Sequence, residues 1–405
     1  MINYTDTVWM LIATGLVMMM TPALAFFYGG LVRKKNILSI LMQSMIILAI
    51  ISLQWILFGY SIAFGPDRGG IIGGLEYVGL RGVTLLPLEG QTIPHQLFMM
   101  FQMMFAVITP ALIIGAFAER IKFSGFLLFV ILWSTLIYDP MAHMVWAKGG
   151  WLFGMGALDF AGGTVIHITA GISALVMAIL LGKRSGSGEG SSPHNLPFSV
   201  FGAGFLWFGW FGFNAGSALS VGSQTVSAFL NTNTAAASAA VTWMIIDWVL
   251  NEKPTVLGVI TGLVAGLVAI TPAAGYVTPM SAIAIGALGS IFGFVFVMYV
   301  KKKFGYDDSL DVFGVHGIAG IVGALATGIF ADKSIGGTDG LINGNPHQLL
   351  VQFITVVVAI VFAAIGTFVI YMIVDRITGM RVTAREEYIG LDLTQHQEAG
   401  YTLID

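Results

Sequence analysis

Eleven long apolar segments limit what this chain can fold into. Each holds enough residues to cross roughly 30 Å of hydrocarbon as a helix, which rises about 1.5 Å per residue. Inside lipid, every backbone N–H and C=O group needs a partner within the protein, and a helix supplies these partners within one segment. The sequence therefore predicts an all-α polytopic membrane protein with eleven transmembrane helices. The predicted spans are residues 7–31, 37–64, 94–117, 124–146, 160–181, 198–221, 228–250, 255–274, 277–300, 311–330 and 347–374.

The composition supports this class and excludes several others. Hydrophobic residues make up 57% of the 405 residues and charged residues only 10%, which is typical of a multi-pass membrane protein. A net charge of −3 gives no reason to expect nucleic acid as a partner. Cysteine is absent, so disulfides, thiolate metal sites and cysteine nucleophiles are excluded. We expect a protein embedded in the lipid bilayer of the cell membrane.

Lysine and arginine residues predict the orientation of the chain. All 18 lie outside the apolar segments. Fourteen fall in the tail and in alternate connections that begin with Arg33-Lys34-Lys35, and four fall on the other side. Because cytoplasmic loops carry the excess of positive charge, the N-terminus is predicted outside the cell and the C-terminus in the cytoplasm.

Two similar motifs divide the apolar segments into halves. Asp159 precedes His167 by eight residues, Asp308 precedes His316 by the same distance, and x-x-Ala-Gly-Ile follows each histidine. The motifs lie in spans five and ten, which predicts an inverted five-plus-five repeat, as in many transporters, followed by one long C-terminal helix. The predicted units are a transmembrane domain 1–374, with repeat one at about 7–181, repeat two at about 198–330 and the extra helix at 347–374, and a cytoplasmic tail 375–405. The Gly/Ser-rich run from Ser185 to Ser192 reads as a flexible linker in a cytoplasmic loop, either natural or an engineered replacement.

The two histidines are the first candidates for function, because ionisable residues inside a membrane are rarely idle. His167 lies about 10 Å deep from the outer face, and His316 lies at a similar depth from the cytoplasmic face. We expect a hydrogen-bonded pair of imidazoles that lines a polar path. Two alternatives remain: separate histidines bonded to backbone carbonyls, and ligands of haem or copper, which usually need more ligands than the spans offer.

Aromatic side chains converge on the predicted outer mouth. Spans three and four contribute Phe105 and Trp146, span six contributes Phe213 and Ser217, and Asp159 opens span five. Aromatic faces with a hydroxyl and a carboxylate suit a small cation such as ammonium, although any one of these rings could be an interfacial anchor. Moving such an ion into low dielectric costs about 20 kcal/mol in the idealised limit. We therefore expect a cation to bind outside, lose a proton and cross as the neutral base, while its proton either returns outside or is relayed by the histidines.

These residues also resemble a known family. The sequence resembles the ammonium transporter (Amt/Mep/Rh) family, and closely its microbial Amt branch. The matching motifs are Phe26-Phe-Tyr-Gly-Gly-Leu-Val-Arg33, Phe105-Ala-Val-Ile-Thr109, Gly115-Ala-Phe-Ala-Glu-Arg120, His143-Met-Val-Trp146, Asp159-Phe-Ala-Gly-Gly-Thr-Val-Ile-His167, Gly209-Trp-Phe-Gly-Phe-Asn-Ala-Gly-Ser217 and Asp311-Val-Phe-Gly-Val-His-Gly317.

The resemblance implies a homotrimer with one pore per subunit and ammonium or ammonia, or its analogue methylammonium, as the substrate. It implies three groups of site residues. The outer cation site is Phe105, Trp146 and Ser217 beside the buried acid Asp159, the phenyl gate is a stacked pair of Phe105 and Phe213, and the pore is lined by the twin histidines His167 and His316, with Trp210 and Phe27 expected on the same path.

The tail resembles the family's cytoplasmic regulatory segment, which PII-type signal proteins contact. Its candidate residues are Gly390, Asp392 and His396, and Gln397 stands where the family usually has glycine. The alternative is a disordered, charged chain end. The whole sequence predicts a transporter for nitrogen uptake and not an enzyme, with no cofactor and no metal. The rival function is an ammonium sensor that signals through this tail and a PII-type partner.

Overall fold

Helices account for every predicted span. The structure, a computed structural model, describes residues 1–186 and 192–401, so most of the Gly/Ser-rich linker lies outside the described residues. The prediction of an all-α polytopic membrane protein is confirmed. The helices that match the predicted spans are α1 (Tyr4–Leu31), α2 (Lys34–Phe64), α3 (His95–Phe117), α4 (residues 123–146), α5 (Gly163–Leu181), α6 (Leu196–Gly216), α7 (Ser223–Asn251), α8 (Val256–Ile270), α9 (Pro279–Phe304), α10 (Phe313–Phe330) and α11 (Pro346–Thr378). The tail adds α12 (Ala384–Ile389) and α13 (Leu391–His396).

Within the described residues, nine helices are long and apolar enough to cross a membrane. Of the other two predicted spans, α8 has only 15 residues. Helix α7 has 29 residues, but asparagine and threonine residues lower its hydropathy and it is not one of the nine. The count of eleven crossings and the orientation of the chain therefore stay predictions.

The connection between α2 and α3 is the longest between helices and forms a folded cap. It holds the only strands of the described residues, β1 (Asp67–Arg68) and β2 (Ile72–Gly73), which pair antiparallel. Its last part turns back at Gly90, whose φ is +81°, and Pro87 and Pro94 face each other in a bridge. The cap therefore lies against the start of α3.

Both histidine helices begin with a π-helical turn. The turn covers Gly163–Ile168 in α5 and Phe313–Ile318 in α10, and the histidine lies in its last part in each case. A π turn widens the helix by one residue and often marks a functional site. The apolar pattern predicts a helix here but carries no signal for this local widening.

Helices α5 and α10 cross backbone to backbone. A Cβ atom added to Gly171 would collide with the backbone of Gly317, so only glycine fits at that position. A Cβ atom on Gly317 would lie 2.8 Å from Cδ2 of Phe313 and 3.3 Å from Cα of Gly171. Small residues at such crossings let membrane helices approach closely. Gly171 lies one turn after His167, and Gly317 directly follows His316.

Candidate functional site

The two histidines are in direct contact at the centre of the bundle. The Nδ1 atoms of His167 and His316 are 3.2 Å apart, and the rings lie nearly parallel, with centroids 5.3 Å apart and an angle of 16°. Both side chains are buried. The predicted hydrogen-bonded pair is therefore present, and the alternative of two separate histidines bonded to carbonyls does not fit this geometry.

Two further aromatic rings pack against His167. Its ring stacks on Trp210 at 5.5 Å between centroids and on Phe213 at 6.0 Å. Trp210 is held in turn by a hydrogen bond of 2.9 Å from its Nε1 to Oγ1 of Thr271. Nε2 of His167 has no hydrogen-bond partner among the described residues. This nitrogen is available to a small molecule beside the rings.

A cavity of about 400 Å³ opens on the other side of the pair. We call the end of the bundle with this cavity and the tail the inner end, and the opposite end the outer end, following the charge bias. His316 and Phe27 both line the inner cavity, as expected for pore residues. Sequence reasoning missed Trp243 and Asp247, which also line it, because each belongs to the polar helix α7.

A smaller cavity of about 170 Å³ lies at the outer end. Its wall includes Phe105, Trp146 and Ser217, the three residues expected at the cation site. The Ser217 hydroxyl donates to the carbonyl oxygen of Phe213 at 2.8 Å. The lone pairs of the hydroxyl oxygen can therefore still accept a hydrogen bond. The cavity therefore combines aromatic faces with an acceptor oxygen. Its other lining residues are Phe64, Gln91, Phe98, Gln102, Phe160 and Leu219.

The two phenyl rings of the expected gate are in contact below this cavity. The centroids of Phe105 and Phe213 are 4.5 Å apart, at an interplanar angle of 68°. Both rings are buried. The arrangement is edge to face, which corrects the expected stacked geometry of the pair. The positive edge of one ring on the negative face of the other is a preferred geometry for aromatic pairs.

Asp159 does not line the outer cavity and instead holds the start of α5. Its carboxylate accepts hydrogen bonds from the backbone N–H groups of Gly162, Thr164 and Val165, at 3.0 to 3.1 Å. Its backbone carbonyl accepts the indole N–H of Trp146 at 2.9 Å. Asp159 therefore contacts the outer cavity only through Trp146, a residue of its wall, and direct contact with a substrate stays a prediction.

The corresponding acid of the second motif makes fewer bonds. Asp308 accepts the backbone N–H of Phe313 at 2.7 Å, and its Oδ1 has no partner among the described residues. Asp311 pairs with Lys301 at 2.6 Å and has a left-handed φ of +62°. These acids lie at the inner end, away from the outer cavity.

The tail is folded and packed on the inner end, so the described part of it is not a disordered chain end. The Asp392 carboxylate accepts the backbone N–H of Ser39 at 2.8 Å. The His396 ring lies edge-on to Phe123, with centroids 4.9 Å apart. Gly390 has a φ of +114°, and a Cβ atom there would lie 2.7 Å from Lys35 Cβ.

Burial perturbs both ionisable groups of this docked segment. It raises the pKa of Asp392 and lowers the pKa of His396. Gln397 adopts the left-handed conformation that glycine favours, with a φ of +58°, so the chain keeps the turn without the glycine.

Comparisons with known proteins identify the family. A model of the Ammonium Transporter Family matches residues 8–401. The chain belongs to that family. The ammonium transporter of Bacillus subtilis (strain 168) is 53% identical over 399 residues, which cover 98% of each protein. The crystal structure of Candida albicans Mep2 superposes with a TM-score of 0.92 at 34% identity, over 99% of this chain and 94% of that one.

Another solved structure bears on the alternative function. A protein described as a sensor Amt protein superposes with a TM-score of 0.90 at 32% identity, over 97% of this chain and 98% of that one. The family and its named relatives make this chain a multi-pass ammonium transporter of the plasma membrane. The expected membership of the ammonium transporter family is therefore confirmed.

Proposed function

We propose that this ammonium transporter binds NH4+ in the outer cavity, removes one proton and conducts NH3 past the histidine pair. Phe105, Trp146 and Ser217 bind the cation, Phe105 and Phe213 form the gate, and His167 and His316 line the path with Trp210 and Phe27. The observation that carries the proposal is the 3.2 Å contact between the two Nδ1 atoms, which lies between the outer and inner cavities.

The chemistry of that contact favours a neutral substrate. A close N–N contact needs one nitrogen to donate its proton and the other to accept it. The pair therefore offers one shared proton inside a buried, aromatic surrounding, which suits a molecule that both donates and accepts hydrogen bonds. Ammonia is such a molecule, whereas ammonium only donates.

Conduction of the charged ammonium ion, instead of neutral ammonia, would have a large free-energy cost. Transfer of a bare ammonium-sized ion into a low-dielectric interior costs about 20 kcal/mol in the idealised limit. Two phenyl rings and two imidazoles cannot replace the whole hydration shell of the ion. Loss of the proton at the gate removes most of this barrier, and the proton either returns outside or moves along the imidazoles.

The proposal is tested with the protein reconstituted in liposomes. A jump in external ammonium should give a substrate-dependent current or alkalinise the interior. Trp146→Leu and Ser217→Ala should each weaken the apparent affinity by about tenfold, since each removes a contact to a charged ligand. A wild-type protein that binds ammonium yet moves neither charge nor base would contradict the transport mechanism.

A second candidate function is sensing through the tail. It is favoured by the packing of α12 and α13 on the inner end and by the similarity to a sensor Amt protein. In this proposal residues 375–405 form a regulatory unit apart from the transport domain 1–374, and a PII-type signal protein contacts the inner end. Ammonium should then change the protection of the tail from proteolysis and its binding of a PII-type protein. An unchanged tail would remove sensing from consideration.

We also propose the homotrimer that the family resemblance implies, and an assembly of several copies is supported by a polar residue on helix α7. Its Asn233 is exposed in the middle of the helix, where an unpaired amide facing lipid would be costly. A neighbouring copy of the chain would cover the amide of Asn233. Native mass spectrometry of the detergent-solubilised protein should give three copies, and Asn233→Leu should leave a monomer intact while weakening the association. A monomeric wild type would contradict the proposal.

A further inference from the structure

The outer cavity contains two amide oxygens that lack partners. Oε1 of Gln91 and Oε1 of Gln102 are both buried, and neither has a hydrogen-bond partner among the described residues. Both residues line the cavity that holds Trp146 and Ser217. Buried carbonyl oxygens are nearly always paired in proteins, so two unpaired ones in one cavity indicate a ligand that donates hydrogen bonds.

Gln91 comes from the folded cap rather than from a membrane helix, and its position is fixed on both sides. Its backbone N–H donates to the carbonyl oxygen of Leu88 at 3.0 Å. The hydroxyl of the next residue, Thr92, donates to Oδ2 of Asp6 at 2.5 Å. Oδ1 of the same carboxylate accepts the backbone N–H of Val221 at 2.8 Å. Asp6 therefore ties the Gln91 turn to the segment that follows Ser217.

We propose that Gln91 is a further substrate-binding residue, whose side-chain carbonyl oxygen accepts a hydrogen bond from the ammonium ion in the outer cavity. This inference rests on the proposed cation site. The ion carries four N–H donors. Ser217 Oγ, Gln102 Oε1 and Gln91 Oε1 supply three oxygen acceptors, and an aromatic face receives the remaining N–H. Each N–H donor of the ion thus meets one group of the protein in place of a water molecule.

The orientation of the amide follows from the ligand. Each glutamine amide can present either oxygen or nitrogen to the cavity, and its partners decide which one it presents. A bound cation with only donors selects the oxygen. Because the bond from Gln91 N–H to Leu88 and the bond from Thr92 to Asp6 hold the backbone here, only the side chain of Gln91 has to be ordered on binding.

The same arrangement makes Gln91 a determinant of specificity. Methylammonium has three N–H donors and one methyl group, so one acceptor of the set loses its hydrogen bond. Gln91 belongs to the cap, whereas Gln102, Phe105 and Trp146 belong to membrane helices. We assign the methyl group to the Gln91 position, the one acceptor that the cap contributes. Sites built to hydrogen-bond a donor reject the analogue that lacks it.

The test compares transport by single variants in liposomes, with ammonium chloride and methylammonium chloride as the two probes. Gln91→Met keeps the length of the side chain and removes the oxygen. It should raise the half-saturating ammonium concentration by about tenfold, while that of methylammonium changes by less than about threefold. Gln91→Glu keeps an acceptor oxygen and should retain tight ammonium binding, which a purely structural role would not predict.

Two controls separate this inference from the proposed site. Gln96 lies in the same region, but its side-chain N–H donates to the carbonyl oxygen of Val83 at 3.1 Å, and it does not line the cavity. Gln96→Met should leave both half-saturating concentrations unchanged. If Trp146→Leu weakens ammonium binding and Gln91→Met does not, only the role of Gln91 is wrong. If neither changes it, the outer site itself is wrong. An equal loss in Gln91→Met and Gln91→Glu would also overturn the inference.

Discussion

The two Asp-x7-His segments share a sequence pattern and a π turn, but their acids do different work. Asp159 accepts three backbone N–H groups at the start of α5 and receives Trp146 on its own carbonyl. Asp308 accepts one backbone N–H and keeps one oxygen without a partner among the described residues. The histidines, in contrast, contribute the same atom to one contact.

This difference shows which part of a repeated motif is free to diverge. The histidines meet at the centre, where either half has to supply the same chemistry. The acids lie at opposite ends of the bundle, where the surroundings differ. One end holds the outer cavity and the other holds the tail and Lys301. Similar sequence therefore predicts similar function only for the residues that meet.

The largest expected difference between the segments concerns their acids. Asp159→Ala leaves three buried N–H groups unpaired, and each unpaired group costs about 1–3 kcal/mol. We expect this variant to lose ammonium transport in liposomes, whereas Asp308→Ala, which frees one N–H group, should keep a measurable rate. Asp159→Asn keeps one acceptor oxygen and serves as the control. Normal transport by correctly folded Asp159→Ala would show that the carboxylate is not essential.

The histidines should respond alike, in contrast to the acids. His167→Ala and His316→Ala each remove one partner of a shared contact, so each should change the ammonium-induced signal by about tenfold. Because the two residues are in contact, the double variant should fall short of the combined single effects. His347→Ala, at an exposed position in α11, is the matched control. Additive effects in the double variant would mean that the two rings act separately.

Alanine substitutions at the two glycines where α5 and α10 cross should differ in their effect on stability. Gly171→Ala pushes a methyl group into the backbone of Gly317, which cannot yield, whereas Gly317→Ala meets mainly the flexible ring of Phe313. We expect thermal unfolding of the detergent-solubilised protein to show the larger loss for Gly171→Ala, of about 1–3 kcal/mol as in other overpacked cores. Equal stability of the two variants would contradict the close backbone approach of α5 to α10.

The smallest expected effect concerns the tail at the inner end. Burial lowers the pKa of His396, and its docked form faces Asp392 and Glu398. Between the lowered pKa and the ordinary value of 6.5 the released tail binds more protons, so docking should weaken as pH falls through this window. Burial raises the pKa of Asp392, which acts in the opposite sense above its ordinary value of 3.8.

Limited proteolysis of the tail at pH 7.5 and pH 5.5 measures this balance. Cleavage should be faster at the lower pH in the wild type. His396→Phe keeps an aromatic ring beside Phe123 and removes the titration of the imidazole, so its cleavage should no longer be faster at the lower pH. A pH response that persists in this variant would assign the effect to other groups.

The sequence predicted the membrane helices well, because hydrocarbon thickness sets a minimum length that an apolar run reveals. It also predicted that the two histidines lie close together, since the predicted orientation put them at similar depths from opposite faces. The π turns were not predictable, because a local widening of the helix leaves the apolar pattern unchanged. The edge-to-face contact of Phe105 and Phe213 depends on how α3 and α6 pack, which spacing along the chain does not specify.

Two other features were missed for a different reason. Gln91 lies in a long connection without periodicity, and its position depends on a distant carboxylate, Asp6. The docking of the tail likewise includes hydrogen bonds to residues far away in the chain, among them Asn36 and Ser39. Such contacts join positions far apart in the chain, so no local sequence pattern predicts them.

The backbone contact between Gly171 and Gly317 has a consequence for the kinetics of transport. At this crossing no side chain lies between the helices that could change rotamer, so we expect the path beside the histidines to keep one shape through the cycle. Flux should then rise with substrate until the outer cavity is full. It should also depend only weakly on temperature, as in a narrow filter rather than a machine that alternates between two faces.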